Sequence, residues 1–511
     1  MIVLGEFSET GYDLDFYPYE VRTTIYVTGS PNQGKSTLLG NLAEQFCAAG
    51  EGVLVLDIKG DLAKELAGRT KHPERVVYVK LGEITVPGEG ARYWTLNPFE
   101  GHRESVTRMG HIRTAVLESF ERMGLAQLDS MANIRNTLQH AIELALTTED
   151  PTYIDLYAIV ADEGYRKALL ASTNYLPPLH RKYWVDLDDP HVTTTHQRQT
   201  RIGTTRNRLE GLLSSASFNL LTGQYQSTLR LKEWLDEGKM ILVDLGLPLD
   251  PYTGEGLGNM ITAQLMTEIY TRQDRSRTWR LVVDEFHRFV GEPYADIITQ
   301  ARSYNVFSVL AHQDLTQLSG NRGLDTLKGA VGHAGIRVLL RGSRQDRQEI
   351  IRMYSQELAD ELFSLSTHTA LVSYVHSPPD TEKTDTISLK DWVNPTVPGQ
   401  LEVLATEALR HTLPKKALSA HNYARYWDRL GLEPNRVRKD THGNTQSRSQ
   451  AIAKPPTQVW EGPDELSSGS GAEERQQPPH PGRARSPRAV DQRHAPGSAL
   501  PRPPGPNKPQ E

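Results

Sequence analysis

A glycine-bounded loop between an apolar run and a helical pattern constrains this chain more than any other feature. Residues 24–27, Thr-Ile-Tyr-Val, predict a strand, and residues 38–46 predict a helix. The loop between them, residues 29–37, fits the spacing G-x-x-x-x-G-K-[ST] of a phosphate-binding P-loop. A chance match in a glycine-rich loop would lack the flanking strand and helix. The segment therefore predicts an α/β fold that binds a nucleoside triphosphate.

The residue types in this loop suit ATP and Mg²⁺. Glycines let the backbone curl around phosphates, and successive N–H groups then form an anion-binding nest at the helix N-terminus. Lys35 is placed to reach the β- and γ-phosphates, and the Ser36 hydroxyl to bind Mg²⁺. The nucleotide-binding residues are therefore predicted to be Gly29, Ser30, Asn32, Gln33, Gly34, Lys35, Ser36 and Thr37.

A second motif supplies two adjacent carboxylates. Residues 280–283, Arg-Leu-Val-Val, predict a buried strand that ends at Asp284 and Glu285, which is the Walker B pattern. Asp284 is predicted to hold Mg²⁺, directly or through water, and Glu285 to orient and deprotonate the attacking water. Two acids at a strand end could instead form a solvated turn, but their occurrence together with a P-loop favours catalysis.

A polar pair ends a further apolar run, residues 309–311. Gln313 is predicted to hydrogen-bond the γ-phosphate or the attacking water; the alternative is an amide that caps a turn. His312 is predicted to support the structure, since the 17 histidines of the chain show no metal-binding spacing.

The remaining pattern predicts a two-part α/β core around a helical insertion. Strand and helix patterns alternate in residues 1–100 and again in 236–395, and alternation of this kind implies a mostly parallel sheet covered by helices. Residues 101–235 show helical spacing and are predicted to form an all-α domain. Residues 369–374 are predicted to be the last strand, and a helix is predicted near 294–304. Residues 396–430 are predicted to be a C-terminal helical segment.

The end of the chain has a different composition. Residues 455–509 contain 13 of the 31 prolines, mixed with Gly, Ser, Gln and Arg. Such a segment cannot bury enough apolar surface to fold alone, so residues 431–511 are predicted to be a disordered Pro/Arg-rich tail.

Composition and charge predict a cytoplasmic location. No apolar run reaches the roughly 18 residues of a membrane-spanning helix, and the N-terminus lacks the features of a signal peptide. The single cysteine, Cys47, excludes an internal disulfide. Because the formal net charge is −6, a nucleic-acid partner would need a local basic channel.

In their order along the chain, these motifs resemble the HerA/FtsK superfamily of P-loop ATPases, and within it the TraG/TraD-like coupling proteins of type IV secretion. Two further segments carry the resemblance: residues 57–62, Asp-Ile-Lys-Gly-Asp-Leu, and residues 96–99, Leu-Asn-Pro-Phe. The resemblance covers roughly residues 20–395. Within the first segment the role of Lys59 is open, and Asp61 is a candidate cap of the following helix.

The resemblance implies a RecA-like core that assembles into a hexameric ring, with ATP between subunits and DNA in the pore. It also implies that Arg302 is an arginine finger that reaches the next subunit's γ-phosphate; the alternative is a surface salt bridge. The arginines at 198, 201, 206 and 208 are candidate phosphate contacts or a solvated helix face. Membrane-anchored coupling proteins carry N-terminal transmembrane helices, and none is predicted here.

The function expected from this resemblance is an ATP-driven DNA translocase in conjugative transfer or type IV secretion. Single- and double-stranded DNA both remain open as substrates, as do the direction of travel and the ring size. Secretion-channel or relaxosome proteins are candidate partners, and one of them could hold the chain at the inner membrane. Two alternatives stand beside this function. One is a secretion or pilus-assembly ATPase that acts on protein, and the other is a nucleotide-gated scaffold without catalysis.

Overall fold

The computed structural model of the chain describes residues 1–122, 131–173, 175–246, 251–289, 300–313, 334–343, 346–376 and 381–429. All of them lie in one unit, Met1–His442. The tail predicted at residues 431–511 lies outside the described residues, and so does most of the helix predicted near 294–304. The described end of that segment, Ala301–Tyr304, is a single 3₁₀ turn.

The strands of the described residues form one large sheet and one small one. In chain order they are β1 (Ile2–Phe7), β2 (Asp13–Phe16), β3 (Ile25–Thr28), β4 (Gly52–Asp57), β5 (Val76–Lys80), β6 (Ile84–Val86), β7 (Gly90–Tyr93), β8 (Met240–Asp244), β9 (Trp279–Val283), β10 (Val306–His312), β11 (Ile336–Leu340), β12 (Thr369–His376), β13 (Thr381–Ser388) and β14 (Leu413–Pro414). The large sheet has the order β2-β1-β13-β12-β11-β3-β10-β9-β4-β8-β5, and the small one β14-β7-β6.

The seven strands from β11 to β5 run parallel. Every residue of β3, β4, β8, β9 and β10 is buried, as expected for parallel strands with helices on both faces. Parallel strands bring their carboxyl ends to one edge, where ligands bind in open α/β sheets. The residues that follow β3, β4, β9 and β10 therefore meet there, and the prediction of a mostly parallel sheet is confirmed.

The other side of the sheet is antiparallel and differs from the sequence prediction. Strands β12, β13, β1 and β2 pair antiparallel in that order, next to β11. The prediction that residues 369–374 form the last strand of the fold is wrong, because β13 follows. β13 reads Thr-Glu-Lys-Thr-Asp-Thr-Ile-Ser, and Ile387 is its one apolar residue. A strand with so little apolar alternation gives no clear pattern in the sequence.

The helices fall into three groups along the chain. Beside the P-loop lie α1 (Lys35–Ala48) and α2 (Asp61–Arg69). The second group is α3 (Val106–Arg122), α4 (Met131–Ala145), α5 (Tyr153–Ala161), α6 (Glu163–Ser172), α7 (Pro178–Asp188), α8 (Thr195–Ser214), α9 (Ala216–Thr222) and α10 (Leu231–Asp236). The third is α11 (Pro251–Thr271), α12 (Asp346–Met353), α13 (Gln356–Ser364), α14 (Gln400–Ala408) and α15 (Lys415–Arg429).

Helices alone connect β7 to β8 in the described residues of that segment, which accords with the predicted insertion. The domain limits at residues 101 and 235 stay a prediction. Successive residues of one strand show how the sheet is covered on both faces. Leu54 and Leu56 of β4 pack with the apolar residues of the helical segment, whereas Val53 and Val55 pack with those of α1 and α2.

The last described helix is fixed to the helical segment by charge. Asp155 of α5 is fully buried. Its carboxylate accepts from Nη2 of Arg425 at 2.9 Å and from Nε of Arg429 at 2.8 Å, both on α15. A buried carboxylate needs such partners, so these ion pairs hold α15 against α5.

Candidate nucleotide site

The P-loop connects β3 to α1 at the carboxyl edge of the sheet. Its backbone is left-handed at Asn32 and Gly34, with φ of 62° and 96°. A Cβ at Gly34 would also lie 3.0 Å from Leu389 and 3.2 Å from His368. Both the left-handed backbone and the close neighbours therefore favour glycine at this position. Helix α1 begins at Lys35 and directs the free N–H groups of its first turn at the space above the loop.

Lys35 lies inside the loop and is 7% exposed. Its Nζ donates to the carbonyl oxygens of Gly29 at 2.5 Å and Ser30 at 3.0 Å. Burial lowers the pKa of Lys35, and the nearby carboxylates of Asp284 and Glu285 oppose that change. The ammonium is therefore held in place by its own loop and faces the two acids of the second motif.

Asp284 follows β9 and is almost fully buried. Its backbone N–H donates to Leu56 of β4, and its Oδ1 accepts from the N–H of Glu285 at 3.0 Å. Burial raises the pKa of Asp284 to about 6, and the negative charges of Glu285 and Asp57 act in the same direction. A buried carboxylate of this kind suits a bound cation, which would favour its ionised form.

Glu285 has a left-handed backbone, with φ of 53°, which is uncommon for a residue other than glycine. Its Oε1 accepts from Nζ of Lys59 at 3.0 Å and also from Nε2 of Gln313. Its Oε2 is buried and has no hydrogen-bond partner among the described residues, and Nδ1 of His287 lies 3.6 Å from it. One carboxylate oxygen is thus held by two donors, and the other is shielded from solvent beside His287.

The turn between β4 and α2 is organised by Asp57. This carboxylate accepts from the N–H of Lys59 through Oδ1 and from the N–H of Ala63 through Oδ2, each at 3.0 Å. Asp61 lies inside the first turn of α2 and has no capping bond; the helix is preceded by Gly60. The proposed cap at Asp61 is therefore wrong, since the Asp57 carboxylate accepts from the N–H of Ala63 in the first turn of α2.

Gln313 follows β10, the neighbour of β3 in the sheet. The preceding His312 is fully buried, and its Nε2 lies 2.5 Å from the hydroxyl of Tyr26 on β3. His312 is thus part of the core between the two strands, whereas Gln313 emerges at the site and donates to Glu285.

One cavity of about 450 Å³ unites most of the predicted site residues. Its lining includes eight of them: Asn32, Gly34, Lys35, Ser36, Thr37, Asp284, Glu285 and Gln313. It also includes residues that the sequence analysis did not assign to the site, namely Pro31, Asp57, Lys59, Asp61, Leu62 and His368. Lys59 could have been identified from the D-x-K-G segment, but no pattern around His368 indicated its position.

Four predicted residues do not line the cavity. Gly29 and Ser30 contribute their carbonyl groups to Lys35, and Gln33 is buried in the loop. Arg302 is exposed on the turn Ala301–Tyr304. A finger role for Arg302 would therefore act on another subunit and stays a prediction.

The predicted arginine cluster on α8 is divided in its contacts. Arg198 pairs with Glu163 at 2.9 Å and donates to the carbonyl of Leu187, so it holds α8 to its neighbours. Arg201 is exposed, and Arg206 and Arg208 are partly exposed.

A larger cleft, of about 700 Å³, lies away from the P-loop. Arg108, Lys232 and Glu268 are among its lining residues, and none of the predicted site residues is. Arg108 and Glu268 pair within it at 2.6 Å. These two charges are thus matched by each other, whereas Asp284 and Glu285 of the smaller cavity lie near the buried ammonium of Lys35.

The cavity residues fit Mg²⁺ together with a nucleotide. The Ser36 hydroxyl and the Asp284 carboxylate line the same space, and hard oxygen ligands suit this ion. Within the described ranges, no group of three or more His, Cys, Asp or Glu residues could hold a metal alone. Mg²⁺ usually binds through one or two protein ligands plus phosphates and water, so the site fits a metal–nucleotide complex.

Comparison with known proteins shows which families this chain is similar to. The family model "Helicase HerA-like C-terminal" matches residues 20–133, and "TraM recognition site of TraD and TraG" matches residues 278–389. The chain is similar to TraG/TraD-like coupling ATPases. No curated protein sequence matched it.

Solved structures share the fold at low sequence identity. The plasmid coupling protein TrwB, in complex with ADP and Mg²⁺, is 16% identical over 75% of this chain and 89% of that chain, with a TM-score of 0.55. TrwB with a non-hydrolysable ATP analogue is 17% identical over 74% of this chain and 87% of that chain, with a TM-score of 0.53. VirB4 of Thermoanaerobacter pseudethanolicus is 16% identical over 76% of this chain and 96% of that chain, with a TM-score of 0.53. The chain thus shares its fold with the coupling protein TrwB and with VirB4.

No helix among the described residues is long and apolar enough to cross a membrane.

Proposed function

We propose that this protein is an ATP-driven DNA translocase of the TraG/TraD-like kind. The observation that carries the proposal is that Lys35, Asp284, Glu285 and Gln313 all line the same cavity. A binding loop alone would support nucleotide binding. The two buried acids and the glutamine line the same cavity as the P-loop, and this arrangement supports hydrolysis as well.

ATP is the proposed substrate, and the P-loop residues would hold its phosphates. The first turn of α1 donates backbone N–H groups, and Lys35 neutralises charge on the β- and γ-phosphates. Mg²⁺ held by Ser36 and Asp284 would neutralise charge that develops on the phosphate oxygens.

Hydrolysis needs a water molecule aligned with the γ-phosphorus. Glu285 accepts a proton from this water while the water oxygen attacks the γ-phosphorus. The bond from the γ-phosphorus to the β–γ bridging oxygen breaks, and ADP and inorganic phosphate are the products. Gln313 donates to the carboxylate of Glu285. From this position the Gln313 amide can hydrogen-bond the γ-phosphate or the water, and its contacts can change when the phosphate leaves.

We infer a homohexameric ring in which Arg302 reaches the neighbouring subunit's nucleotide. Its exposure and its absence from the lining of its own subunit's cavity support this arrangement. An arginine supplied from a second chain stabilises the charge of the transition state. DNA would pass through the ring, and Arg201 on α8 is available to contact phosphates. Secretion-channel or relaxosome proteins are the proposed partners, and one of them could hold the chain at the inner membrane.

The match to VirB4, at nearly the same TM-score as TrwB, keeps a secretion ATPase that acts on protein as a second candidate. The experiment is ATP hydrolysis by the purified chain with Mg²⁺, alone and with single- or double-stranded DNA, with Lys35→Ala as the blank. DNA stimulation of the rate is expected for a translocase. Hydrolysis that neither form of DNA changes would favour the protein-directed ATPase.

A further inference from the structure

Lys59 lies in a turn whose conformation is fixed on all sides. The Asp57 carboxylate accepts from the N–H of Lys59 and from that of Ala63. The next residue, Gly60, has φ of 82°, and a Cβ there would lie 2.0 Å from Asp244. This constrained backbone sets the starting direction of the Lys59 side chain, which reaches Glu285 at the carboxyl end of β9.

On that path, the Lys59 ammonium lies 3.0 Å from Oε1 of Glu285. The Lys59 side chain is 45% exposed, whereas that of Glu285 is 4% exposed. Lys59 also lines the cavity, so it enters the site from the solvent side and binds a carboxylate that is otherwise buried.

The two carboxylate oxygens of Glu285 differ in their hydrogen bonds. Lys59 and Gln313 both donate to Oε1, while Oε2 has no hydrogen bond within the described part of the chain. Two donors on one oxygen restrict rotation of the carboxylate group at the end of the Glu285 side chain. We propose that Lys59 is a positioning residue that holds Oε1 of Glu285 and thereby fixes the orientation of the carboxylate that accepts the proton from the attacking water.

This proposal rests on the proposed ATPase function and adds one requirement to it. Lys59 need not contact the phosphates; it acts through Glu285. Its removal should therefore slow turnover and leave ATP binding nearly unchanged. A loss of positioning of this kind reduces rates by about ten- to a hundredfold.

Helix α2, which follows this turn, offers a matched control. Nζ of Lys64 lies 3.6 Å from Oδ2 of Asp244, and the two side chains are 44% and 1% exposed. Lys64 thus also pairs a half-exposed ammonium with a buried carboxylate, but it does not line the nucleotide cavity. A general effect of removing a lysine from this part of the chain would appear equally in Lys59→Met and Lys64→Met.

The experiment measures kcat and KM for ATP, with Mg²⁺ and DNA, in wild type, Lys59→Met, Lys59→Arg and Lys64→Met. We expect Lys59→Met to lower kcat about ten- to a hundredfold with KM within about threefold. Lys59→Arg keeps a cation and should recover most of the rate. Lys64→Met should retain the wild-type kcat.

A double-mutant cycle separates positioning from a merely structural effect. Adding Lys59→Met to Glu285→Gln should barely change the residual rate, since no carboxylate remains to be positioned. If Lys59→Met lowered kcat equally in both backgrounds, or left kcat at the wild-type value, the inference about Lys59 would be overturned and the proposed ATPase function would stand. A wild-type chain without turnover under all these conditions would contradict the proposed function and, with it, this inference.

Discussion

The hydroxyl of Tyr26 lies 2.5 Å from Nε2 of His312, in the buried space between β3 and β10. One of these strands leads into the P-loop and the other into Gln313. The contact therefore fixes the phosphate-binding loop and the glutamine relative to each other, from below the site.

We expect Tyr26→Phe to destabilise the fold by about 1–3 kcal/mol, since it removes one partner from a buried polar pair. Urea unfolding measures this cost. Tyr374→Phe is the matched control, because the Tyr374 hydroxyl donates to the partly exposed Asp385 and its loss should cost less. Equal costs for the two variants would show that the buried contact is not special.

The raised pKa of Asp284 predicts a pH-dependent stability with a definite sign. Burial raises this pKa from 3.8 to about 6 in the folded state, so the folded chain binds the proton more tightly than the unfolded chain. The contribution of Asp284 is therefore fully present below pH 3.8 and is lost as the pH rises through about 6.

Asp284→Asn should accordingly be more stable than wild type at pH 7 without nucleotide, and the difference should shrink as the pH falls toward 4. Unfolding at several pH values with Mg²⁺ chelated measures it. A difference that is constant with pH would contradict the assignment.

Gln313→Ala tests whether the contact with Glu285 serves catalysis. We expect kcat to fall about tenfold or more, while the affinity for ADP stays near that of wild type. Rapid-quench kinetics and equilibrium binding separate the two effects. An unchanged kcat would support the alternative that this amide only caps a turn.

Arg302 can be tested by mixing inactive subunits. Arg302→Ala and Lys35→Ala should each hydrolyse ATP very slowly, because the loss of an arginine finger costs about 10³–10⁵ in rate. A mixture should regain activity, since some sites then combine an intact Lys35 with an intact Arg302 from the neighbour. Arg275→Ala is the control: this exposed arginine donates to the Ser303 carbonyl beside the same turn. A mixture as slow as its components would contradict the shared site.

The sequence predicted the parallel half of the fold well and the antiparallel half poorly. Strands such as β4 and β8 are continuous apolar runs because both faces are covered, and such runs are recognisable in a sequence. In β13 the described side chains are exposed or half-buried apart from that of Ile387, so the strand shows no apolar alternation in the sequence. Pairing between β1 and β13 joins residues that are far apart in the sequence, and no local pattern indicates it.

The site divides in the same way. Lys35, Ser36, Asp284 and Glu285 occupy motifs with fixed spacing, which reflects contacts with phosphates and metal. The links from Lys59 and Gln313 to Oε1 of Glu285 depend on three strand ends meeting at one edge, so they required the fold. His368 enters the cavity lining through a turn with φ of 63°, which the residues around it do not specify.

The most direct test of the account is a comparison of ATP binding and ATP turnover in wild type and Glu285→Gln, with Mg²⁺ and DNA present. The variant keeps an acceptor for Lys59 but loses the base that takes the proton from water. We predict that it binds ATP as tightly as wild type and hydrolyses it about 10²–10⁴-fold more slowly. Hydrolysis at the wild-type rate in Glu285→Gln would contradict the central claim that this carboxylate, held beside the P-loop, is the catalytic base.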